Sequence, residues 1–201
     1  MIKTSDWLSD AWAMFAENPV VHIVLTLIVA VGSSITGGLL AGPLICGYIW
    51  VVIRQMEDPG YDPQIGDIGK CFENFVQTFL VGIVGGIIAG IGGVLCGIGA
   101  ILTAPLVMFA FPLVAHRQMG FWEAIQTSIA KVMENYGGWI VFALILGLIN
   151  AAGGLVAVGW LITYPLTIVA VVLAYRDNFG LGGAQPDQAP EGPLTPPQPE
   201  Q

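Results

Sequence analysis

The sequence predicts an all-α integral membrane protein with six transmembrane helices. They are arranged as three repeated helical hairpins, each preceded by a short in-plane amphipathic helix. Composition is the first reason: 55% of the 201 residues are apolar and only 10% charged, with a mean hydropathy of +0.77. A soluble domain carries about 25% charged residues. Charge placement is the second reason. Residues 18–53, 74–116 and 135–175 contain no Asp, Glu, Lys or Arg, and these blocks of 36, 43 and 41 residues make up 120 of the 201 positions. A soluble core of this size cannot hide that much apolar surface, whereas a bilayer can. The third reason is a set of landmarks that recurs three times in the same order. A soluble enzyme, a nucleic-acid partner and a secreted disulfide scaffold are excluded on these grounds.

Crossing a hydrocarbon core of about 30 Å takes about 20 helical residues. Each charge-free block is about twice that length, so each is expected to hold two helices and a turn. Gly37 with Gly38, Gly92 with Gly93 and Gly153 with Gly154 fall 19, 18 and 18 residues after Asn18, Asn74 and Asn135. Paired glycines supply positive φ and close backbone approach, so the turns are expected there. The hairpins then cover about 18–54, 74–117 and 135–176, within a transmembrane domain of 18–176.

The repeat opens each time with Glu before Asn (Glu17, Glu73 and Glu134), then gives the glycine pair, then Pro before Leu, then a closing arginine. The prolines are Pro43, Pro105 and Pro165. The arginines Arg54, Arg117 and Arg176 follow them by 11, 12 and 11 residues. Asn18, Asn74 and Asn135 are expected as helix-start caps, with the acidic neighbour favouring the helix dipole. Each Pro-Leu step is expected to kink the second helix of its hairpin and free a carbonyl. The first unit is shorter between its glycine pair and its proline, so its second helix should be the least complete span.

Residues 5–17 pattern as an amphipathic helix lying in the headgroup layer. Trp7, Leu8, Ala11, Trp12 and Phe15 form one side, with the tryptophans as interfacial anchors. Residues 122–133 repeat the pattern, and 65–72 suggest a shorter version. The connection 57–67 is acidic and turn-rich, and the spacing of Asp58, Asp62 and Asp67 matches no calcium loop. Residues 177–201 are rich in Pro and Gly and are expected to form a disordered cytoplasmic tail.

Orientation follows from the six basic residues, Lys3, Arg54, Lys70, Arg117, Lys131 and Arg176, all outside the charge-free blocks. With three complete hairpins all lie on one face, which the positive-inside rule makes cytoplasmic. A membrane location with both termini cytoplasmic is the expectation, and nothing near Met1 patterns as a signal peptide.

Chemistry is sparsely signalled. HExxH, GxSxG and Walker motifs are absent, and Cys46, Cys71 and Cys96 form no CxxC pair. His22 and His116 have no acidic neighbour in the adjacent charge-free sequence. No catalytic residue, metal ligand or cofactor is expected. Coupled carriers keep a charge inside the membrane, and this chain has none. Gly82, Gly86 and Gly90 recur every four residues and are expected to pack the third and fourth helices tightly.

The segment from Gly120 to Asn135 (GFWEAIQTSIAKVMEN), the AYRDNFG stretch from Ala174 to Gly180, and Ala41-Gly42-Pro43-Leu44 resemble a broad group of uncharacterised bacterial membrane proteins. That group is similar to the membrane region of glycerophosphoryl diester phosphodiesterases. The resemblance implies a six-helix bundle and no catalytic residue, since the soluble phosphodiesterase domain has no counterpart here.

Two functions are therefore weighed. One is a non-enzymatic scaffold or partner subunit, in contact with membrane lipid and engaging a protein partner through its cytoplasmic face or in-plane helices. The other is a small permease or lipid-handling protein for a neutral or amphiphilic substrate, with a path past Pro43, Pro105, Pro165, Thr103, Thr163 and Tyr164. Oligomeric state is not legible in the sequence.

Overall fold

A computed structural model describes residues 2–58, 60–94, 98–156 and 158–181. Among the described residues the regular structure is entirely helical. In chain order it comprises α1 (Thr4–Glu17), α2 (Pro19–Ile35), α3 (Ala41–Glu57), a 3₁₀ helix (Ile65–Asn74), α4 (Phe75–Val94), α5 (Ile98–Val107), α6 (Ala110–Arg117), α7 (Phe121–Met133), α8 (Tyr136–Leu155) and α9 (Trp160–Phe179). Three stretches are long and apolar enough to cross a membrane: Ile65–Ile88, Tyr136–Leu155 and Trp160–Phe179. A fourth joins them if α1 and α2, bent by 99° at their junction, count as one span. The remaining helices of the expected six fall short of 20 residues. α2 and α3 have 17 each, and the stretch expected as the fourth span is divided into α5 and α6, of 10 and 8 residues.

Several local expectations need correction. Gly37 and Gly38 do turn the chain with φ of +59° and +89°, but Gly153 and Gly154 lie inside α8 and Gly92 and Gly93 inside α4. Gly153 serves close approach instead: a Cβ built on it would lie 2.2 Å from Thr163 Oγ1 of α9. The short helix expected before the second hairpin is the 3₁₀ helix Ile65–Asn74, which runs on into α4 so that Ile65–Ile88 forms one 24-residue stretch. α9 extends to Phe179, past the expected start of the tail at 177. Residues 182–201, and with them most of the expected tail, lie outside the described residues, as does Cys96.

The core is built from α3, α6 and α9 packed together, with α2 on α3, α4 on α5 and α8 on α9. α1 packs on α9. Its Trp7 is 2% exposed, stacks on Trp139 of α8 at 5.8 Å and meets Phe142 edge-on. The indole N–H of Trp7 also donates to Asp177 Oδ2 at 2.9 Å. Each such aromatic pair is worth about 0.5–1.5 kcal/mol beyond burial. Trp12 alone of the α1 tryptophans stays exposed, at 54%.

The outer faces of the bundle are apolar stripes at helical spacing. Leu27 and Val31 on α2, Ile83 and Ile87 on α4, and Val141, Leu144 and Leu148 on α8 are all exposed. Soluble monomers do not expose apolar surface in such continuous bands.

Candidate functional site

The polar contacts gather at one end of the bundle. Rings run in sequence from Trp7 to Trp139 (5.8 Å), Phe109 (5.0 Å), Phe179 (5.4 Å), Tyr175 (5.2 Å) and His116 (5.8 Å). From His116 the chain continues in hydrogen bonds. Nδ1 lies 3.0 Å from the Tyr175 hydroxyl and Nε2 lies 3.0 Å from Glu57 Oε1. Arg54 adds an ion pair to Glu57 at 3.5 Å, and Arg117 stacks over Phe179 and donates to its carbonyl. The C-terminal ends of α3, α6 and α9 are thereby tied together. Arg176 pairs with Asp177, and Lys131 shares a second, smaller cavity with Trp7.

Beside this cluster, α3, the 3₁₀ helix, α4 and α6 enclose a cavity of about 420 Å³. Trp50, Arg54, Lys70, Asn74, Thr78 and Gln118 are among its lining residues. Two close approaches shape it. A Cβ built on Gly47 would fall 2.0 Å from the Ile68 carbonyl oxygen, and one on Gly42 would fall 2.4 Å from the Thr78 carbonyl oxygen, so only glycine lets the main chains meet there. Gln118, at φ +51°, is the non-glycine residue held in the left-handed region among those described, where strain of order 1–3 kcal/mol is tolerated mainly near functional features. Tyr61 packs edge-on against Trp50 and donates its hydroxyl to Asp67. Burial, followed by that bond and the Asp67 charge, raises the Tyr61 hydroxyl above the usual phenol range.

The break at Pro105 is stabilised from α7. Ser128, fully buried, donates to the Leu106 carbonyl at 2.7 Å and accepts from the Phe109 N–H at 3.2 Å. One hydroxyl thus caps both ends where α5 stops and α6 begins. The Tyr136 hydroxyl donates to the Leu102 carbonyl at 2.7 Å, four residues before Leu106 and in the turn preceding the proline.

The other residues singled out in the sequence are dispersed. Pro43 sits in the first turn of α3 and does not kink it, because the short first unit leaves no preceding turn whose hydrogen bond it could break. Pro165 lies inside an unbroken α9. Tyr164 lines a mainly apolar cavity of about 350 Å³ with Thr26, Ser33, Ser34 and Trp160. Thr163 packs on Gly153, and Thr103 donates to the Gly99 carbonyl at 2.9 Å. Neither lines the Tyr164 cavity.

Of the three expected caps, Asn135 alone accepts through its side chain, from the Gly138 N–H at 3.4 Å. Asn18 marks the α1–α2 bend without a side-chain cap, and Asn74 lies in the continuous run into α4, where there is no free helix start to cap. Gly82 does pack, but against Gly42 of α3, at 2.9 Å from a built Cβ to the Gly42 Cα. Among the described residues nothing lies within 4 Å of a Cβ built on Gly86 or Gly90, so the expected stripe is not the tight contact.

Sequence reasoning missed His116 and its two partners, the Trp7–Asp177 bond and Ser128. A signal for the first existed, since His116 and Tyr175 each immediately precede the closing arginine of their unit. The comparisons add nothing further. No known protein family, curated protein or solved structure matches this chain.

Proposed function

We propose that the chain is a non-enzymatic, multi-pass protein of the bacterial cell membrane that works as a scaffold or partner subunit. It crosses six times as three repeated hairpins, with both termini and all six basic residues in the cytoplasm. The observation that carries the membrane placement is the set of exposed apolar stripes on α2, α4 and α8. Helices of 17 residues, about 26 Å long, lie at the lower end of what spans a bilayer, and α5 with α6 forms a span broken at Pro105. The likeness to the membrane region of glycerophosphoryl diester phosphodiesterases fits the same six-helix plan.

The non-enzymatic reading rests on how the polar groups are used. Both ring nitrogens of His116 are held by Tyr175 and Glu57, leaving neither for a substrate. The hydroxyls of Thr26, Thr78 and Ser128 bond to main-chain carbonyls. Trp12 of α1 and Trp122 and Met133 of α7 remain exposed beside the charged end, at 54%, 58% and 60%, and offer a surface at the interface. The second reading, a small permease or lipid-handling protein, is favoured by the apolar cavity beside Tyr164.

Extraction in mild detergent with stoichiometric protein identification tests the choice. The scaffold reading expects a protein partner at fixed ratio that is lost in Trp12→Glu or Trp122→Glu variants. Monodisperse protein that carries solute flux in liposomes would overturn it in favour of the permease.

A further inference from the structure

We infer that the cavity between α3, the 3₁₀ helix, α4 and α6 is a binding site for a singly charged phosphodiester, the anionic group of a membrane phospholipid or of a soluble phosphate ester. Its lining carries two cations, Arg54 and Lys70, and one carboxylate, Glu73, while Glu57 outside the lining pairs with Arg54. Three of the four donors have no protein partner among the described residues, Lys70 and Gln118 being exposed. Lys70 makes no ion pair or hydrogen bond among the described residues, even though Glu73 stands three positions along and lines the same cavity. The side-chain amides of Asn74 and Gln118 likewise have no partner among the described residues. Arg54 is held on one side by Glu57, and its Nε is buried without a hydrogen-bond partner.

Four donating side chains around one cavity, two of them cationic, call for an occupant with several acceptor oxygens and a negative charge. A phosphodiester supplies both, and charge-assisted bonds from Arg and Lys to phosphate are the strong class of such contacts. The volume of about 420 Å³ exceeds what a lone phosphate needs and leaves room for a glycerol headgroup. Trp50 walls the cavity and stacks under Arg54 at 5.7 Å, which presents the guanidinium beside an apolar surface. Gln118, held at positive φ, lines the cavity at the end of α6. The lipid source rests on the membrane placement proposed above, in which this end of the bundle lies at the cytoplasmic headgroups.

The test uses the full-length protein in two arms. In the first it is reconstituted into phosphatidylcholine vesicles doped with phosphatidylglycerol, and retained lipid is counted by native mass spectrometry. In the second, glycerophosphoglycerol, a soluble and singly charged phosphodiester, is titrated calorimetrically into protein in neutral detergent. Lys70→Gln is the informative variant because Lys70 makes no ion pair or hydrogen bond among the described residues. The expected result is selective retention of phosphatidylglycerol by the wild type and about a tenfold loss in Lys70→Gln, with Lys131→Gln, which pairs with Glu134 away from the cavity, unchanged. Lys70-dependent binding in the soluble arm alone keeps the site and assigns its occupant to a free phosphate ester. Binding that is equal in wild type and Lys70→Gln in both arms overturns the site. Failure to enter vesicles, with Lys70-dependent binding in detergent, overturns the membrane placement and not the site.

Discussion

Ser128→Ala removes one hydroxyl and leaves two main-chain groups without partners. In the wild type that hydroxyl lies 2.7 Å from the Leu106 carbonyl oxygen and 3.2 Å from the Phe109 nitrogen, at 0% exposure. Alanine fits the same volume, so cavity formation adds little, and the cost is that of stranding a buried donor and a buried acceptor. Each such loss is worth about 1–3 kcal/mol in water-soluble proteins, with smaller averages in membranes. The expected destabilisation is therefore about 2–4 kcal/mol. At roughly 2–4 °C per kcal/mol for a chain of this size, the melting temperature in detergent should fall by about 5–15 °C. Gln126→Ala, on the exposed side of the same helix, should not move it. The cost should also shrink when Pro105→Ala is added, because a continuous helix needs no cap at its former break, giving a coupling of at least about 1 kcal/mol in the double-mutant cycle. A Ser128→Ala protein that melts within about 2 °C of the wild type would refute the claim that α7 holds the broken helix together.

Three further outcomes are expected. Gly82→Leu should destabilise strongly, by about 1–3 kcal/mol or more from overpacking against Gly42, whereas Gly86→Leu should be nearly neutral; chemical denaturation in detergent separates the two. The Tyr61 hydroxyl is raised by burial and by Asp67, so the folded state favours its neutral form. That contribution is fully present below the ordinary phenol pKa of about 10 and is lost as pH climbs beyond it. Absorbance titration at alkaline pH should show one fewer late-ionising tyrosine in Tyr61→Phe than in the wild type. His116→Ala removes the bonds to the Tyr175 hydroxyl and to Glu57 Oε1 at the junction of α3, α6 and α9, leaving Glu57 held by Arg54 alone, and proteolysis near residues 117–120 should quicken relative to the wild type.

What the sequence conveys well is anything set by hydropathy and local chain chemistry. Helices occupy all six stretches where spans were expected, α1 and α7 appear where amphipathic periodicity places them, and the Gly37–Gly38 turn has the positive φ that paired glycines permit. Helix breaking was legible at Pro105 but not at Pro43, which sits in the first turn of α3 where no preceding turn can be broken, nor at Pro165, around which α9 stays continuous. Contacts between elements distant in the chain were not legible. Glu57 and His116 are 59 residues apart and His116 and Tyr175 another 59, and no local pattern announces such pairs. The glycine stripe misled for a related reason. Four-residue spacing says that one face of α4 is small, but Gly42 decides which of those glycines is met. The cavity has the same origin: Arg54, Lys70 and Gln118 come from three separate elements and become one site only on folding.

The central claim is that the chain crosses the membrane six times with its basic residues on one side. Thiol labelling of single-cysteine variants by an impermeant maleimide in intact and in permeabilised cells tests it most directly. The positions are Cys96 alone, Val158→Cys, Asp62→Cys and Gly120→Cys, each with the other native cysteines replaced. Six crossings predict that 96 and 158 label in intact cells, while 62 and 120 label only after permeabilisation. If only the three longest apolar stretches crossed, 96 would side with 120 and 158 with 62, and that pattern would contradict the account.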